Sequence, residues 1–276
     1  MVAIASLEAI FTANPTVEYQ CQANLNLYDS PDLKALATQA VAGRQLRILP
    51  LSSDSNRNIQ DSPAQASPIQ SSPTQASVIL EAAVQVVLCE DAYPGWVALE
   101  DLDLLELAET PYRAIALAES EISARLPQVL AFAHTAMHQP NHYLWGGTVG
   151  PNYDCSGLVK TAFAAMVIWL PRDAYQQEAF VQAVELDALQ PGDLVFFGKP
   201  ERCTHVGIAL GNDQYIHSSG KDQGRNGIGV DRLTEDGDAV SQAYFRQVRG
   251  AGRVVACYVP TRELGFGCAQ PTADEG

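Results

Sequence analysis

Basic residues are scarce. The chain carries 17 Lys and Arg against 32 Asp and Glu in 276 residues, a formal net charge of -15. Its cations are scattered, without a basic run, which excludes recognition of a nucleic-acid backbone, because phosphate binding needs clustered Lys and Arg. No apolar stretch is long enough to cross a bilayer, so no membrane partner is expected. Six cysteines, Cys21, Cys89, Cys155, Cys203, Cys257 and Cys268, are too few for a small disulfide scaffold in a chain of this length. No two of them have C-x-x-C spacing, which argues against a structural zinc site, and buried free thiols are expected instead. Nothing has the form of a phosphate-binding glycine loop or a metal-binding triad. Met1 to Ala13 has no Lys or Arg before its short apolar run. It therefore lacks the charged start of a secretory signal, and the expectation from that is a cytoplasmic protein.

What the chain does have is enough apolar residue, 47% of 276, to bury one large core or two smaller ones, and two domains are expected. Between Tyr19 and Tyr28, Cys21, Ala23, Leu25 and Leu27 alternate with Gln22, Asn24 and Asn26, the period of a half-buried strand. Further strands are expected at Gln45 to Leu49, Val84 to Leu88 and Gly95 to Leu99, and short strands separated by turns imply a small barrel. Ser52 to Ser77, with Ser-Pro at Ser62, Ser67 and Ser72, cannot bury a core and is expected to be a disordered insertion. Ala108 to Arg113 is the expected linker, dividing the chain into 1–108 and 109–276. The first helix of the second domain should lie within Arg113 to Met137, broken or kinked at Pro127.

Asp154-Cys155-Ser156-Gly157 is the chemical centre of the sequence. Val159, Ala162, Phe163 and Met166 recur at helical spacing after it, so Cys155 stands at or just before a helix N-terminus over Ser156 to Trp169. The free N-H groups and dipole there favour an anion, which would lower the thiol pKa and make Cys155 a nucleophile. The backbone N-H of Cys155 is the natural donor to an oxyanion, and the Tyr143 hydroxyl is a second. Downstream, His205 to Leu210 and Gln214 to His217 look like two strands joined by Gly211-Asn212-Asp213. A three-residue loop pairs Leu210 with Gln214 and Ile208 with Ile216, and sets His205 and His217 on one face as diagonal neighbours. A two-residue loop would put them on opposite faces. His205 is then the base for Cys155, and His217 orients it by accepting or donating one hydrogen bond. His134, His138 and His142 read as surface or capping residues. Asp187 and Asp193 read as turn formers around Pro191-Gly192.

From Arg113 to Tyr258 the chain resembles the NlpC-type cell-wall peptidases, a papain-like group of cysteine endopeptidases. The motifs, in order, are Tyr143-Leu144-Trp145-Gly146-Gly147, Asp154-Cys155-Ser156-Gly157, Pro171-Arg172, Gln190 to Phe197, His205-Val206-Gly207-Ile208 and Ile216-His217. Leu25-Asn26-Leu27-Tyr28 and Gly95-Trp96-Val97 make the barrel similar to a bacterial SH3 domain. The resemblance implies an α+β protein: an SH3-like barrel, then helices packed on an antiparallel sheet. It also implies Cys155 as nucleophile, His205 as base and His217 as third residue, with no metal or cofactor. The implied reaction is cleavage of the γ-D-glutamyl-diamino acid bond in murein peptides. By the same resemblance, the SH3-like domain walls off the cleft for peptides with a free N-terminal L-alanine. Tyr93 and Asp154 would bind that ammonium, and Glu90 and Asp91 share a loop with Tyr93. Ala174 departs from the family, where many relatives carry Ser or Thr, and Arg172 reads as structural. The alternatives of another class are a murein-binding module without turnover and a thiol acyltransferase using the same residues.

Overall fold

The computed structural model describes residues 16–49 and 83–260. The Ser-Pro tract, the first 15 residues and Cys268 lie outside the described residues. The architecture is α+β, with two antiparallel sheets.

The N-terminal sheet has seven strands: β1 (Glu18–Cys21), β2 (Leu25–Tyr28), β3 (Leu36–Ala40), β4 (Gln45–Ile48), β5 (Ala83–Leu88), β6 (Pro94–Ala98) and β7 (Leu105–Leu107). Their spatial order is β3-β2-β6-β5-β4-β1-β7. Leu25, Leu27, Leu46, Val86, Leu88 and Val97 form its core, each supplied by the alternation of its strand. The single strand expected across Tyr19 to Tyr28 is two strands. The polar residues between them serve the bend: Asn24 Oδ1 accepts the Ala42 N-H at 3.0 Å, and the Gln22 N-H reaches the Leu104 carbonyl at 2.8 Å.

The second sheet comprises β8 (Gln182–Val184), β9 (Leu194–Lys199), β10 (Arg202–Gly211), β11 (Gln214–Ser219), β12 (Gly227–Arg232) and β13 (Val248–Arg253), in the order β12-β11-β10-β9-β13-β8. Helices α1 (Glu119–Met137) and α2 (Cys155–Ala164) cover one face, where Ile122, Val129, Leu158, Val159 and Phe163 meet Phe196, Val206, Ile208 and Ile216. Short helices α3 (Ala174–Phe180) and α4 (Ala239–Phe245) complete the unit, with Tyr244 of α4 joining Phe197 and Tyr215 on the opposite face. The α1 helix runs through Pro127 as one element. Pro127 lies on its exposed side, so the carbonyl deprived of a partner faces water and the helix continues. The α2 helix ends at Ala164, five residues before the expected limit at Trp169.

The two units are tied together at β3 and at the turn after β5. Gln39 and Thr148 exchange hydrogen bonds: Gln39 N-H to Thr148 Oγ1 at 3.1 Å, Thr148 Oγ1 to the Gln39 carbonyl at 2.8 Å, and Thr148 N-H to Gln39 Oε1 at 3.1 Å. Gly146, at φ +76°, lets its backbone lie against the Leu36 carbonyl, where a Cβ would come within 2.5 Å. Glu90 and Asp91 are buried. Arg44 pairs with Glu90 at 3.0 Å and Asp91 at 3.1 Å, and Lys160 of α2 closes on the other Asp91 oxygen. Among the described residues no helix is long and apolar enough to cross a membrane, and no cluster of three or more His, Cys, Asp or Glu is arranged to hold a metal ion.

Candidate active site

Cys155 is the first residue of α2. Asp154 caps the helix, its Oδ1 accepting the Gly157 N-H at 2.6 Å. Gly157 is required here because a Cβ would meet the Gly147 carbonyl oxygen at 2.0 Å, so the first turn of α2 packs directly on the Gly146-Gly147 loop. The thiol is buried, and burial pushes its pKa up to about 12, with the charge on Asp154 adding to the rise. The N-H groups of Ser156 and Val206 pull the other way without prevailing. The low thiol pKa expected from a helix start is therefore not what this site provides. Desolvation exceeds the stabilisation that the N-H groups give an anion.

The hairpin of β10 and β11 has the expected pairing of Ile208 with Ile216, but a different loop. Asn212 and Asp213, at φ 50° and 60°, form a two-residue turn that closes on the Gly211–Gln214 pair. Between Ala209 and Gly211 the register shifts by one residue. That bulge at Leu210 restores the parity the short loop would have reversed. His205 and His217 thus share a face, and His205 Nε2 lies 2.6 Å from His217 Nδ1. Gly207 leaves room between them, since a Cβ there would meet Tyr215 at 2.7 Å and His217 Cβ at 3.2 Å.

The array continues beyond the expected residues. His217 Nε2 lies 2.6 Å from Asp231 Oδ2, on β12. Arg225 Nε donates to the same oxygen at 2.9 Å, its Nη2 donates to Oδ1, and the Ser241 hydroxyl reaches Oδ1 at 3.3 Å. Tyr244 stacks on His205 at 4.4 Å between ring centroids and 28° between planes, and its hydroxyl bonds Ser219 at 2.7 Å. Burial holds His205 well below the ordinary imidazole value, reinforced by His217. Burial lowers His217 also, against the opposing pull of Asp231. Burial thus favours the uncharged forms of the Cys155 thiol and of both imidazoles. Tyr143 is close enough to Cys155 for the sulfur's charge to raise its own pKa, in addition to the larger effect of burial.

Arg172 joins Asp154 to the N-terminal unit. It donates to Asp154 Oδ1 at 3.2 Å and Oδ2 at 2.5 Å, to Ser156 Oγ at 2.9 Å, and to Thr38 Oγ1 at 2.9 Å. Gly146 N-H also donates to Asp154 Oδ2, at 2.9 Å, so both carboxylate oxygens are engaged internally. Tyr93 reaches this cluster from the other unit, its hydroxyl donating to Asp173 Oδ1 at 3.4 Å, with the Arg172 guanidinium 6.0 Å from its ring. His138 Nδ1 bonds the His134 carbonyl at 2.7 Å, a capping role at the end of α1.

Sequence comparisons bear on this constellation. Residues 140–249 match the NlpC/P60 family. This segment is an NlpC/P60 domain. Over 122 residues, 44% of this chain and 23% of the relative, the chain is 36% identical to the "Probable endopeptidase p60" of Listeria monocytogenes. Over 79 residues, 28% of this chain and 27% of the relative, it is 40% identical to the "Gamma-D-glutamyl-L-lysine dipeptidyl-peptidase" of Bacillus subtilis. The chain thus spans less than a third of the length of either relative. A crystal structure of an NlpC/P60 family protein from Bacillus cereus aligns over 90% of this chain and 66% of its own, at TM-score 0.42 and 19% identity. The NlpC/P60 domain holds Cys155, His205, His217, Asp231 and Tyr244. Tyr93 comes from outside it.

Proposed function

We propose that the chain is a cysteine endopeptidase. It cleaves the γ-D-glutamyl-diamino acid bond of murein peptides that carry a free N-terminal L-alanine, in cell-wall turnover or recycling. The observation that carries this is a thiol at the head of α2, touched by the N-H of Val206, beside a His205–His217 contact of 2.6 Å within an NlpC/P60 domain. The bond class is supported by the name of the Bacillus subtilis relative.

With thiol and imidazole both neutral at rest, the nucleophile forms in the attacking step. His205 takes the Cys155 proton as sulfur adds to the γ-glutamyl carbonyl. The backbone N-H of Cys155 and the Tyr143 hydroxyl receive the developing oxyanion. His205 then returns the proton to the departing amine of the diamino acid, leaving a thioester. Water, deprotonated by the same ring, releases the glutamyl carboxylate and restores the thiol. The SH3-like N-terminal unit closes one side of the cleft through Tyr93. The substrate ammonium is held beside Tyr93 by the negative field of Asp154 and Asp173, with Asp154 also fixing Arg172.

Wild type and Cys155→Ala are incubated with L-Ala-γ-D-Glu-diaminopimelate and the products identified by mass spectrometry. The expected result is release of L-Ala-γ-D-Glu by wild type only, with the two proteins melting alike; activity retained in the variant overturns the assignment. Acetylating the substrate amine is expected to abolish cleavage. Equal cleavage of the blocked peptide would refute the ammonium site and leave the endopeptidase assignment standing.

A further inference from the structure

Asp231 is buried on β12, opposite Tyr215 in the register and on the same face as His217. Three groups converge on its carboxylate: His217 Nε2 at 2.6 Å, the Arg225 guanidinium on both oxygens, and the Ser241 hydroxyl at 3.3 Å. An ionised carboxylate only accepts hydrogen bonds, so His217 Nε2 must carry the proton that points at it. A neutral imidazole has one ring proton. His217 Nδ1 is therefore a bare lone pair, and the 2.6 Å contact it makes with His205 Nε2 requires the proton to sit on His205. His205 Nδ1 is then the bare nitrogen of that ring. One fixed acceptor at the end of the row thus dictates the proton positions in two rings. Burial raises the carboxyl of Asp231, but the hydrogen bonds from His217 and Arg225 outweigh it and keep the group below its ordinary value, in agreement with an ionised acceptor.

We propose that Asp231 is a positioning residue that sets the tautomers of both histidines, so that His205 presents its Nδ1 lone pair to the thiol. This rests on His205 being the base of the endopeptidase. Arg225 and Ser241 serve the array by keeping Asp231 charged and in place.

Imidazole nitrogen shifts in 15N-histidine-labelled protein read the tautomers without any substitution. The expected result for wild type is Nε2-H with unprotonated Nδ1 in both His205 and His217; Nδ1-H in either neutral ring overturns the proposal. Asp231→Asn keeps the shape but offers both a donor and an acceptor. It is expected to give mixed tautomers at His217 and to lower kcat by roughly 100-fold with KM little changed, because a general base in the wrong protonation pattern forfeits most of its contribution. Unchanged tautomers and kcat in a folded Asp231→Asn protein would refute the positioning role. If that variant does not fold, the wild-type shifts decide alone. Cys155→Ala and His205→Ala run in the same assay separate the two levels. Hydrolysis surviving in them defeats the endopeptidase itself, whereas hydrolysis lost in them but intact in Asp231→Asn defeats only the role of Asp231.

Discussion

Lys160 and Asp91 form an ion pair between the two units, about one and a half turns along α2 from Cys155. The helix that carries the thiol is therefore anchored at its middle to the turn that carries Tyr93. Both partners are buried, and Arg44 gives Asp91 a second cation, while Asp91 is the one anion paired with Lys160 among the described residues.

That asymmetry makes the two halves of the pair unequal. Asp91→Asn strands Lys160 beside Arg44 without its counter-charge and is expected to cost about 3–5 kcal/mol. Lys160→Met leaves Asp91 paired with Arg44 and is expected to cost no more than about 2 kcal/mol. Urea denaturation of both variants checks the order, and equal losses would contradict it.

The buried imidazoles should make stability fall on the acid side. Burial holds His205 and His217 below the ordinary value of 6.5, so below that pH the unfolded chain binds protons that the folded chain refuses. Stability then rises with pH through this window, is complete above about 6.5 and is lost as the pH drops. Asp231, lowered in the folded state despite its burial, adds a further loss as the pH approaches the ordinary carboxyl range. Calorimetry between about pH 8 and about pH 5 is expected to show a Tm that is level at first and then declines. Replacing both histidines with Gln should flatten the decline above about pH 5.

Gly157→Ala is expected to destabilise the protein by about 3 kcal/mol, because a methyl group at that position meets the Gly147 carbonyl oxygen at 2.0 Å. Helix propensity alone predicts a gain of up to about 1 kcal/mol, so the sign of the change in an equilibrium unfolding experiment decides between them.

Tyr244→Leu removes the ring stacked on His205, whereas Tyr244→Phe keeps it and loses only the hydroxyl bonded to Ser219. A stacked aromatic pair contributes about 0.5–1.5 kcal/mol. The Leu variant is expected to lower kcat by up to about tenfold, with the Phe variant nearer to wild type. A larger loss in Phe than in Leu would mean that the hydroxyl, not the ring, is what His205 needs.

Much of this site could be read from residue order. Asp154-Cys155-Ser156-Gly157 before an apolar periodic stretch marks the start of α2, and alternation in Val206, Ile208 and Ile216 marks the hairpin. The loop between its strands was harder to read, because Gly211-Asn212-Asp213 satisfies either a three-residue turn or a two-residue turn with a bulge. Both lead to the same facing of His205 and His217. Asp231 is not legible in residue order, because its place depends on the β11–β12 register, which the loop at 220–226 conceals. Its one local sign is an acidic residue in a strand pattern, where Asp is uncommon. The thiol pKa was also beyond the sequence, since a helix start is visible in residue order while the burial that opposes it arises from distant segments. Strand β3 has no clean alternation, and its importance lies in what it touches, Thr148 and Arg172.

His205 is held on two sides. One of its nitrogens is held by His217 and one of its faces by Tyr244, so only a single nitrogen, Nδ1, is left to trade protons. In the proposed reaction that nitrogen must serve the thiol, the leaving amine and the incoming water in succession, and the last two must occupy the same spot. The amine has to vacate before water can enter. The order of events is thereby built into the clamp on one ring: product one departs, then the second substrate arrives, and an amine that lingers acts as a competitor of water for the thioester.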